Sequence, residues 1–236
     1  MEKEIIKPSN LIHIVHNFSL MQAQLWDFIL AQTPREEILT KEFHQLSISR
    51  IMKFLGNTRN NKHVKATLED MGTIFTYILI KKEMHKDVGS FPLFSSVSIV
   101  DNVFNYSYDE VIKKFFVELK CYSYINLLMV RKFDCKYALF LYQLCCDYKK
   151  VAQTPYLTLK TFCQYMGLED GSYQDFSSLN CYVVKKAIEE VNEKSNFFVK
   201  AIYQIQGRKI TEIKFEVLCK EGIAPAYAKK LVARPI

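Results

Sequence analysis

The sequence lacks the motifs on which the common nucleotide-binding and hydrolytic sites depend. It contains only seven glycines in 236 residues, so a glycine-rich phosphate loop is hard to place. The patterns G-x-x-x-x-G-K-[ST], G-x-G-x-x-G, G-x-S-x-G and H-E-x-x-H are all absent. We therefore expect a protein that is not an enzyme.

The sequence also has no spacing typical of a metal site. Its seven cysteines form no C-x-x-C pair, and most lie in apolar runs such as Leu144–Cys146. His13 and His16 lie close together, but no cysteine or carboxylate cluster accompanies them. We expect no metal and no cofactor, and we expect the thiols to be free, buried and kept reduced in the cytoplasm.

A third absence concerns the membrane. No uninterrupted apolar run approaches the roughly 18 residues of a spanning helix, and the segment Met1–Pro8 lacks the apolar core of a signal peptide. With 49% hydrophobic and 24% charged residues, the composition is that of a globular protein that can bury a core without disulfides. The expected location is the cytoplasm, with no membrane association.

What the sequence does have is an uneven positive charge. Of the formal net charge of +7, residues 1–125 contribute +1 (15 Lys or Arg against 14 Asp or Glu) and residues 126–236 contribute +6 (17 against 11). A basic half favours a polyanionic partner, either nucleic acid or an acidic membrane surface. The alternative is a soluble protein with additional surface lysines.

One segment occurs twice, 111 positions apart and without a gap. Leu46–Gly56 aligns with Leu157–Gly167, so that Ser47 corresponds to Thr158, and both are good helix N-caps. Each cap is followed by apolar residues on one helical face and by a glycine suited to end the helix. The apolar positions are Ile48, Ile51, Phe54 and Leu55 in the first copy and Leu159, Phe162, Tyr165 and Met166 in the second.

The surroundings of the two short helices are also alike. A longer helix precedes each, one beginning at a Ser19–Gln22 capping box and the other capped by Asp134. A further helix follows each, at about 61–71 and 175–194. Strands come next: 73–80 is expected to pair with 95–100 and 103–106, and 198–205 to form a hairpin with 210–217.

Helix, short helix, turn, helix and β-hairpin together describe a winged helix. The predicted fold is α+β, with two tandem winged-helix domains (a helix-turn-helix plus a β-hairpin wing) related by an internal pseudo-repeat. The N-terminal domain is placed at 9–125, the C-terminal domain at 126–220 and a basic tail at 221–236.

Three segments of the second half resemble plasmid replication initiators of the Rep type, in the order and spacing of that family. Tyr137–Leu144 (YALFLYQL) resembles the family's "KYA-x-x-LYELL" helix. Phe176–Asn192 resembles its "F-x-x-L…V-L-x-x-A-I-x-E-I-N" helix, and Gly207–Phe215 resembles its "GRKV-x-x-I-x-F" wing. The resemblance runs from about residue 9 to residue 217 and is specific over residues 133–217.

The resemblance implies a cytoplasmic protein that binds double-stranded DNA at direct repeats (iterons) of a plasmid origin, helps to open the duplex and initiates replication there. Many such proteins dimerise through the first domain and repress their own promoter at an inverted repeat. The implied partners are origin and promoter DNA, host replication proteins such as a helicase or a DnaA-like protein, and a second copy of the chain in equilibrium with the monomer.

Candidate DNA contacts are the outward positions of the predicted third helices and of the second wing. In a winged helix the third helix enters the major groove, where an asparagine can read adenine and a lysine can reach guanine or a phosphate. Where the family carries Lys or Arg, this sequence departs from it, so the family's base contacts are not carried over. The candidates are Ser178, Asn180, Cys181, Tyr182, Lys185, Lys186, Arg208 and Lys209 in the second domain, and Arg59, Asn61, Lys62 and Lys65, beside an outward Thr67, in the first.

Three other functions are compatible with the same pattern. A winged-helix transcriptional regulator shares the DNA binding and differs in its target, a lone inverted repeat in a promoter. A protein-interaction scaffold would leave the wings free of DNA, and a nicking enzyme would use one of the 14 tyrosines, although no H-x-H pair lies near one. In the main hypothesis, the second domain supplies most phosphate contacts, and the first supplies accessory DNA contacts and the dimer interface.

Overall fold

The computed structural model describes residues 4–56, 60–73, 75–78, 90–118, 121–169, 171–173 and 175–221. The chain divides into two compact units, and the division falls between Arg131 and Lys132. Each unit is described by itself below. Arg59 and residues 222–236 of the predicted basic tail lie outside the described residues.

The first unit begins with a strand and several helices that lead into a helix-turn-helix. Its elements are β1 (Glu4–Pro8), α1 (Ser9–Ile12), β2 (Ile14–Val15), α2 (Leu20–Gln32), α3 (Arg35–Thr40), β3 (His44–Ser47), α4 (Ile48–Phe54), α5 (Asn61–Asp70), a 3-10 turn (Met71–Thr73), β4 (Phe75–Ile78), β5 (Phe91–Pro92), β6 (Phe94–Val100), β7 (Val103–Tyr108), α6 (Glu110–Val117), β8 (Tyr122–Asn126) and α7 (Leu127–Lys132).

The second unit has fewer elements and a longer hairpin. Its elements are α8 (Lys136–Tyr148), β9 (Leu157–Thr158), α9 (Leu159–Tyr165), α10 (Phe176–Leu179), a π-helical turn (Asn180–Lys185), α11 (Lys186–Lys194), β10 (Phe197–Gln206) and β11 (Lys209–Cys219). Helix α10, the π-helical turn and α11 follow one another without a break, and together they are called the 176–194 helix.

The same module occurs in both units. In each, a short strand, two helices and a hairpin follow in order, and the three strands form sheets of the same topology, β3-β7-β6 and β9-β11-β10. Leu46 pairs with Phe104 in the first sheet, as Leu157 pairs with Ile213 in the second. This arrangement confirms the predicted tandem winged helices and their internal repeat.

The helix caps inferred from the repeat are present. The Ser47 hydroxyl accepts a hydrogen bond from the Arg50 backbone N–H at 3.3 Å, and the Thr158 hydroxyl accepts one from that of Thr161 at 3.1 Å. Gly56 and Gly167 end the two helices at φ +90° and +60°, a region that suits glycine. Of the eight matched apolar side chains, all but the half-buried Leu159 are buried.

The prediction for the strands of the first unit was wrong in its pairing. Strand β4 pairs with β2 and β5, whereas β7 pairs with β6 on one side and with β3 on the other. The reason lies in a two-residue turn, Asp101–Asn102, in which both residues have positive φ. Two such residues form the turn type whose twist suits a tight hairpin, so β6 folds back directly onto β7.

The edges of the first domain also differ from the prediction. Strand β1 lies before residue 9 and pairs antiparallel with β8 along its whole length, from Glu4 opposite Asn126 to Pro8 opposite Tyr122. The predicted boundary at 125/126 therefore falls inside a strand of the first unit. A buried ion pair, Lys7 Nζ to Asp27 Oδ1 at 2.8 Å, fastens β1 to α2.

Two further side chains differ from the prediction. Asp134 does not cap α8, which begins after Cys135 without a side-chain cap, because the Asp134 carboxylate binds Lys194 Nζ at 2.5 Å. Thr67 is buried rather than outward, with its hydroxyl donating to the His63 carbonyl at 2.9 Å.

The prediction of buried thiols is correct for only part of the set. All seven cysteines are free, but Cys145 and Cys146 alone are buried. Cys121, Cys181 and Cys219 are exposed, and Cys135 and Cys163 are intermediate.

The largest fully buried side chains of both units are aromatic. In the first unit the Trp26 ring meets those of Phe94 and Tyr108 edge to face, with centroids 5.6 and 6.2 Å apart. In the second unit Phe162 packs on Phe215 at 5.8 Å, which holds α9 against β11. Within the described part of the chain no helix is long and apolar enough to cross a membrane.

Candidate nucleic-acid interface

The 176–194 helix is fixed at its start by a polar cap and along its length by an apolar stripe. The Asp175 carboxylate accepts hydrogen bonds from the Ser178 backbone N–H at 2.8 Å and from its hydroxyl at 2.9 Å. These bonds lower the pKa of Asp175 below its usual value and keep the carboxylate charged at the helix N-terminus. The inward side chains are Leu179, Val183, Val184, Ala187 and Val191.

The middle of this helix is a π-helical turn, which holds one more residue than an α-helical turn. The neighbouring Val183 and Val184 lie in it and are both buried. On either side of this pair lie two exposed pairs, Cys181 with Tyr182 and Lys185 with Lys186. π-Helical turns are frequent at functional sites.

The predicted helix residues fall into two groups. Cys181, Tyr182, Lys185 and Lys186 are exposed, and the Lys186 ammonium lies 5.4 Å from the centroid of the Tyr182 ring. Ser178 and Asn180 are half-buried and already bonded within the domain. The Ser178 hydroxyl donates to Asp175, and Asn180 Oδ1 accepts from the Tyr203 hydroxyl at 2.9 Å.

The second wing ends in a cationic turn. Gln206 pairs with Lys209 across the two-residue turn Gly207–Arg208, and Gly207 has φ +64° with no neighbouring atom near its open face. Arg208 and Lys209 are both exposed. The predicted cations therefore stand exposed at the tip of the hairpin.

Tyr203 joins this wing to the helix. Besides its hydrogen bond to Asn180, its ring meets the Phe176 ring edge to face, with the centroids 5.1 Å apart. Burial raises the pKa of Tyr203, so the hydroxyl stays protonated and acts as the donor. The structure thus brings the start of the helix and the middle of the wing together through a residue that the sequence analysis did not single out.

The corresponding surface of the first unit has a different charge. Asn60 caps α5 by accepting a hydrogen bond from the Lys62 backbone N–H at 2.9 Å; Asn61 and Lys62 are exposed, and Lys65 is half-buried. The first wing, 94–108, contains no Lys or Arg, and its tip carries Asp101. An open cleft of about 540 Å³ lies beside these elements and is lined by Ile48, Ser49, Met52, Lys53, Asn61 and Asn102.

The structure also identifies exposed cations of the second unit that the sequence analysis did not select. Lys149 and Lys150 follow α8, and Lys160 lies on α9. Half-buried Lys214, on the outer face of β11, has its ammonium 4.9 Å from the Tyr156 ring centroid. Successive side chains of a strand point to opposite faces, and Ile213, Phe215 and Val217 of β11 are buried. This alternating pattern could have predicted from the sequence that Lys214 points outward.

No group of three or more His, Cys, Asp or Glu side chains that could hold a metal ion occurs among the described residues.

The chain was compared with solved structures, with curated proteins and with protein-family models. One solved structure, described as domains 2 and 3 of RctB (a selenomethionine derivative), matches 85% of this chain and 81% of its own at 9% identity, with a TM-score of 0.47. A search of curated proteins finds no match. Two family models do match: "Initiator Replication protein, WH1" over residues 4–146 and "Initiator Rep protein, WH2" over residues 158–217. Since the two models together cover most of the sequence and correspond to its two winged helices, the chain belongs to the initiator Rep protein family of replication initiators.

Proposed function

We propose that this chain binds double-stranded DNA at direct repeats of a plasmid origin and, by binding there, initiates replication of the plasmid. The proposal rests on one observation, the set of side chains that the second winged helix of this replication initiator exposes. Its helix presents Cys181, Tyr182, Lys185 and Lys186, and its wing presents Arg208 and Lys209. A helix that enters the major groove and a cationic hairpin beside it form the usual DNA-binding surface of this fold.

The charge difference between the two wings supports a division of roles. The second wing ends in two cations, whereas the first ends in Asp101 and contributes no cation. Phosphate neutralisation dominates the affinity of proteins for DNA. We infer that the second unit supplies most of the backbone contacts, and that Asn61, Lys62 and Lys65 of α5 add fewer contacts, together with Arg59.

Self-association belongs to the same proposal. On the sheet of β1 and β8, the outward side chains Ile6, Tyr122 and Tyr124 are large and exposed, as is Leu128 at the start of α7. Ile6 lies opposite Tyr124 in the register, so the apolar side chains share one face. We infer a dimer through the first unit, in equilibrium with the monomer that binds the origin.

Two further parts of the proposal concern regulation and partners. The dimer would bind an inverted repeat in the promoter of its own gene and repress it, and the monomer at the origin would recruit host proteins such as a helicase or a DnaA-like protein in the cytoplasm. Opening of the adjacent A·T-rich DNA would follow from strain of the bound duplex. Bending the duplex costs about 1–6 kcal/mol by elastic estimates. No covalent step is required.

The test of DNA binding is the salt dependence of the affinity for a duplex carrying candidate direct repeats. With about six neutralised phosphates, the logarithm of the association constant falls by about five per tenfold rise in salt. Arg208→Gln lowers that slope by about 0.9, whereas the control Lys114→Gln, which removes an exposed cation of α6, leaves it unchanged. A slope near zero would contradict the proposal and favour a protein-interaction scaffold.

The alternative, a winged-helix transcriptional regulator, makes the same surface contacts and differs in outcome. The test uses a plasmid that carries the direct repeats found beside the gene for this chain, but not the gene itself. The plasmid is transformed into cells that supply the chain in trans. An initiator maintains that plasmid; a regulator binds the promoter repeat and does not. Loss of maintenance with the Arg208→Gln/Lys209→Gln variant, with maintenance retained by Lys114→Gln, connects the phenotype to the second wing.

A further inference from the structure

An isoleucine stands exposed near the tip of the second wing. The relative exposed surface of Ile205 is 65%, which makes it one of the two most exposed large hydrophobic residues among those described, with Val151. Ile205 buries little against its own domain, and its cross-strand neighbour Ile210 is only half-buried. Its presence is therefore not explained by the stability of the hairpin.

The backbone of the wing is irregular at this residue. Gln204 lies opposite Glu212 and Ile205 opposite Ile210, so Thr211 is an extra residue on β11 and the register shifts between Gln204 and Ile205. The Thr211 hydroxyl donates to the Gln204 carbonyl at 3.4 Å. A β-bulge redirects the side chains beyond it and increases the local twist, and here those side chains are Ile205 and the cationic turn.

The surroundings of Ile205 are positively charged. Arg208 and Lys209 are exposed within the same hairpin tip, and no acidic residue lies between Gln204 and Thr211. The first wing provides a contrast, because its exposed Val100 (58%) adjoins the acidic Asp101. Of the two wings, the one that the proposed function assigns to DNA therefore has its exposed apolar side chain among cations, and the other has its exposed apolar side chain beside an acidic residue.

We propose that Ile205 is an apolar wedge that enters the minor groove beside the recognised site and partly unstacks a base step, while Arg208 and Lys209 hold the flanking phosphates. The proposal rests on the DNA binding proposed above. Proteins that bend DNA from the minor groove insert side chains such as isoleucine between base pairs and kink the duplex. Pyrimidine–purine steps unstack most easily, so the wedge favours a TA or CA step at that position.

The wedge gives the proposed initiator a means of distorting its site without covalent chemistry. Each bound copy would introduce one kink at a fixed distance from the bases read by the 176–194 helix, because Tyr203 fastens the wing to that helix. Where repeated sites are spaced by whole turns of the DNA helix, the bends at the individual sites would point in the same direction and add together.

The experiment compares full-length Ile205→Ser with Val151→Ser on one duplex containing a single repeat. Val151 is equally exposed (65%) but lies in the loop before β9, near the Gln153–Glu216 bridge and away from the wing tip. End-to-end energy transfer measures the bend, 2-aminopurine fluorescence measures unstacking at the chosen step, and fluorescence anisotropy measures affinity. Thermal unfolding confirms that both variants fold.

We expect Ile205→Ser to abolish the fluorescence increase, reduce the bend and weaken binding about tenfold. The slope of affinity against salt should stay unchanged, because no cation is removed. Ile205→Leu should retain the bend, and Val151→Ser should match the wild type. Equal bends and equal affinities for Ile205→Ser and the wild type would refute the wedge and leave the DNA-binding proposal standing. If the wild-type chain itself binds no duplex, the proposed function fails and the wedge fails with it.

Discussion

The hydroxyl of Tyr203 on strand β10 donates a hydrogen bond of 2.9 Å to Oδ1 of Asn180 in the 176–194 helix. The two residues belong to the two elements by which a winged helix holds DNA. The bond occupies one acceptor site of the Asn180 amide, so bidentate reading of adenine requires Oδ1 to accept a second hydrogen bond or the side chain to turn. The position of the helix and the chemistry of the half-buried Asn180 amide are therefore coupled to the wing.

Replacing Tyr203 by phenylalanine tests this coupling. The ring and its contact with Phe176 remain, while the half-buried Asn180 amide loses a donor, so the free energy of unfolding should fall by about 1 kcal/mol. DNA affinity should fall with it, because the helix is held less firmly against the wing. Urea unfolding and fluorescence anisotropy measure the two effects. In the control Tyr156→Phe, the ring under Lys214 is kept, and neither quantity should change.

Removing one partner of the buried ion pair between Lys7 and Asp27 should destabilise the protein more than removing both. Both side chains are almost wholly inaccessible, and burial raises the pKa of Asp27 while the Lys7 charge opposes that rise. Lys7→Met leaves a carboxylate without its cation in the core and should lower the free energy of unfolding by about 3–5 kcal/mol. The double variant Lys7→Met/Asp27→Leu should recover most of that loss. A single variant as stable as the wild type would contradict this account.

His44 should make the stability of the protein depend on pH. Burial lowers the pKa of His44; nearby Glu37 opposes this change, and Lys41 and Lys113 add to it. As the pH falls, His44 therefore takes up a proton in the unfolded chain before it does so in the folded protein. The contribution of His44 to the free energy of unfolding is fully present above about pH 6.5 and is lost as the pH falls below that value. Chemical denaturation measures the free energy of unfolding at pH 7.5 and at pH 5.5. Between these two pH values that free energy should fall more for the wild type than for His44→Phe. Equal falls would show that His44 does not titrate in this way.

The two capping hydroxyls of the repeat should contribute similar amounts. Thr158→Ala removes the acceptor for the Thr161 N–H, and Ser47→Ala removes that for Arg50, so each should cost about 1 kcal/mol of unfolding free energy. Thr158→Ser keeps the oxygen and should cost less than the alanine variant. If serine and alanine at residue 158 destabilise equally, the cap is not the cause.

Local signals in the sequence predicted the repeated module well. Caps, apolar spacing and end glycines each depend on a few neighbouring residues, and Ser47, Gly56, Thr158 and Gly167 all occupy the expected positions. Apart from the β6–β7 hairpin, much of the strand pairing in the first unit is non-local. The pairing of β1 with β8 joins residues more than a hundred positions apart, and no short-range pattern specifies it.

The site was predicted less completely than the fold, for two physical reasons. Val183, Val184 and Ala187 are as compatible with a regular helix as with a π-helical turn, because both arrangements bury an apolar stripe. Tyr203 lies in an alternating strand pattern in which nothing marks its hydroxyl as a partner of Asn180, a residue of another element. The roles of the individual candidate side chains in DNA contact remain predictions.

The π-helical turn has a consequence for comparisons among relatives. A π turn is an α-helical turn with one additional residue, so positions beyond Val184 are shifted by one relative to a helix that lacks it. A relative with a regular α-helix would place its outward basic residue one column away from Lys185 in an ungapped alignment. Homologous recognition helices should therefore be superposed by their buried side chains and aligned with a single-residue gap at residues 180–185.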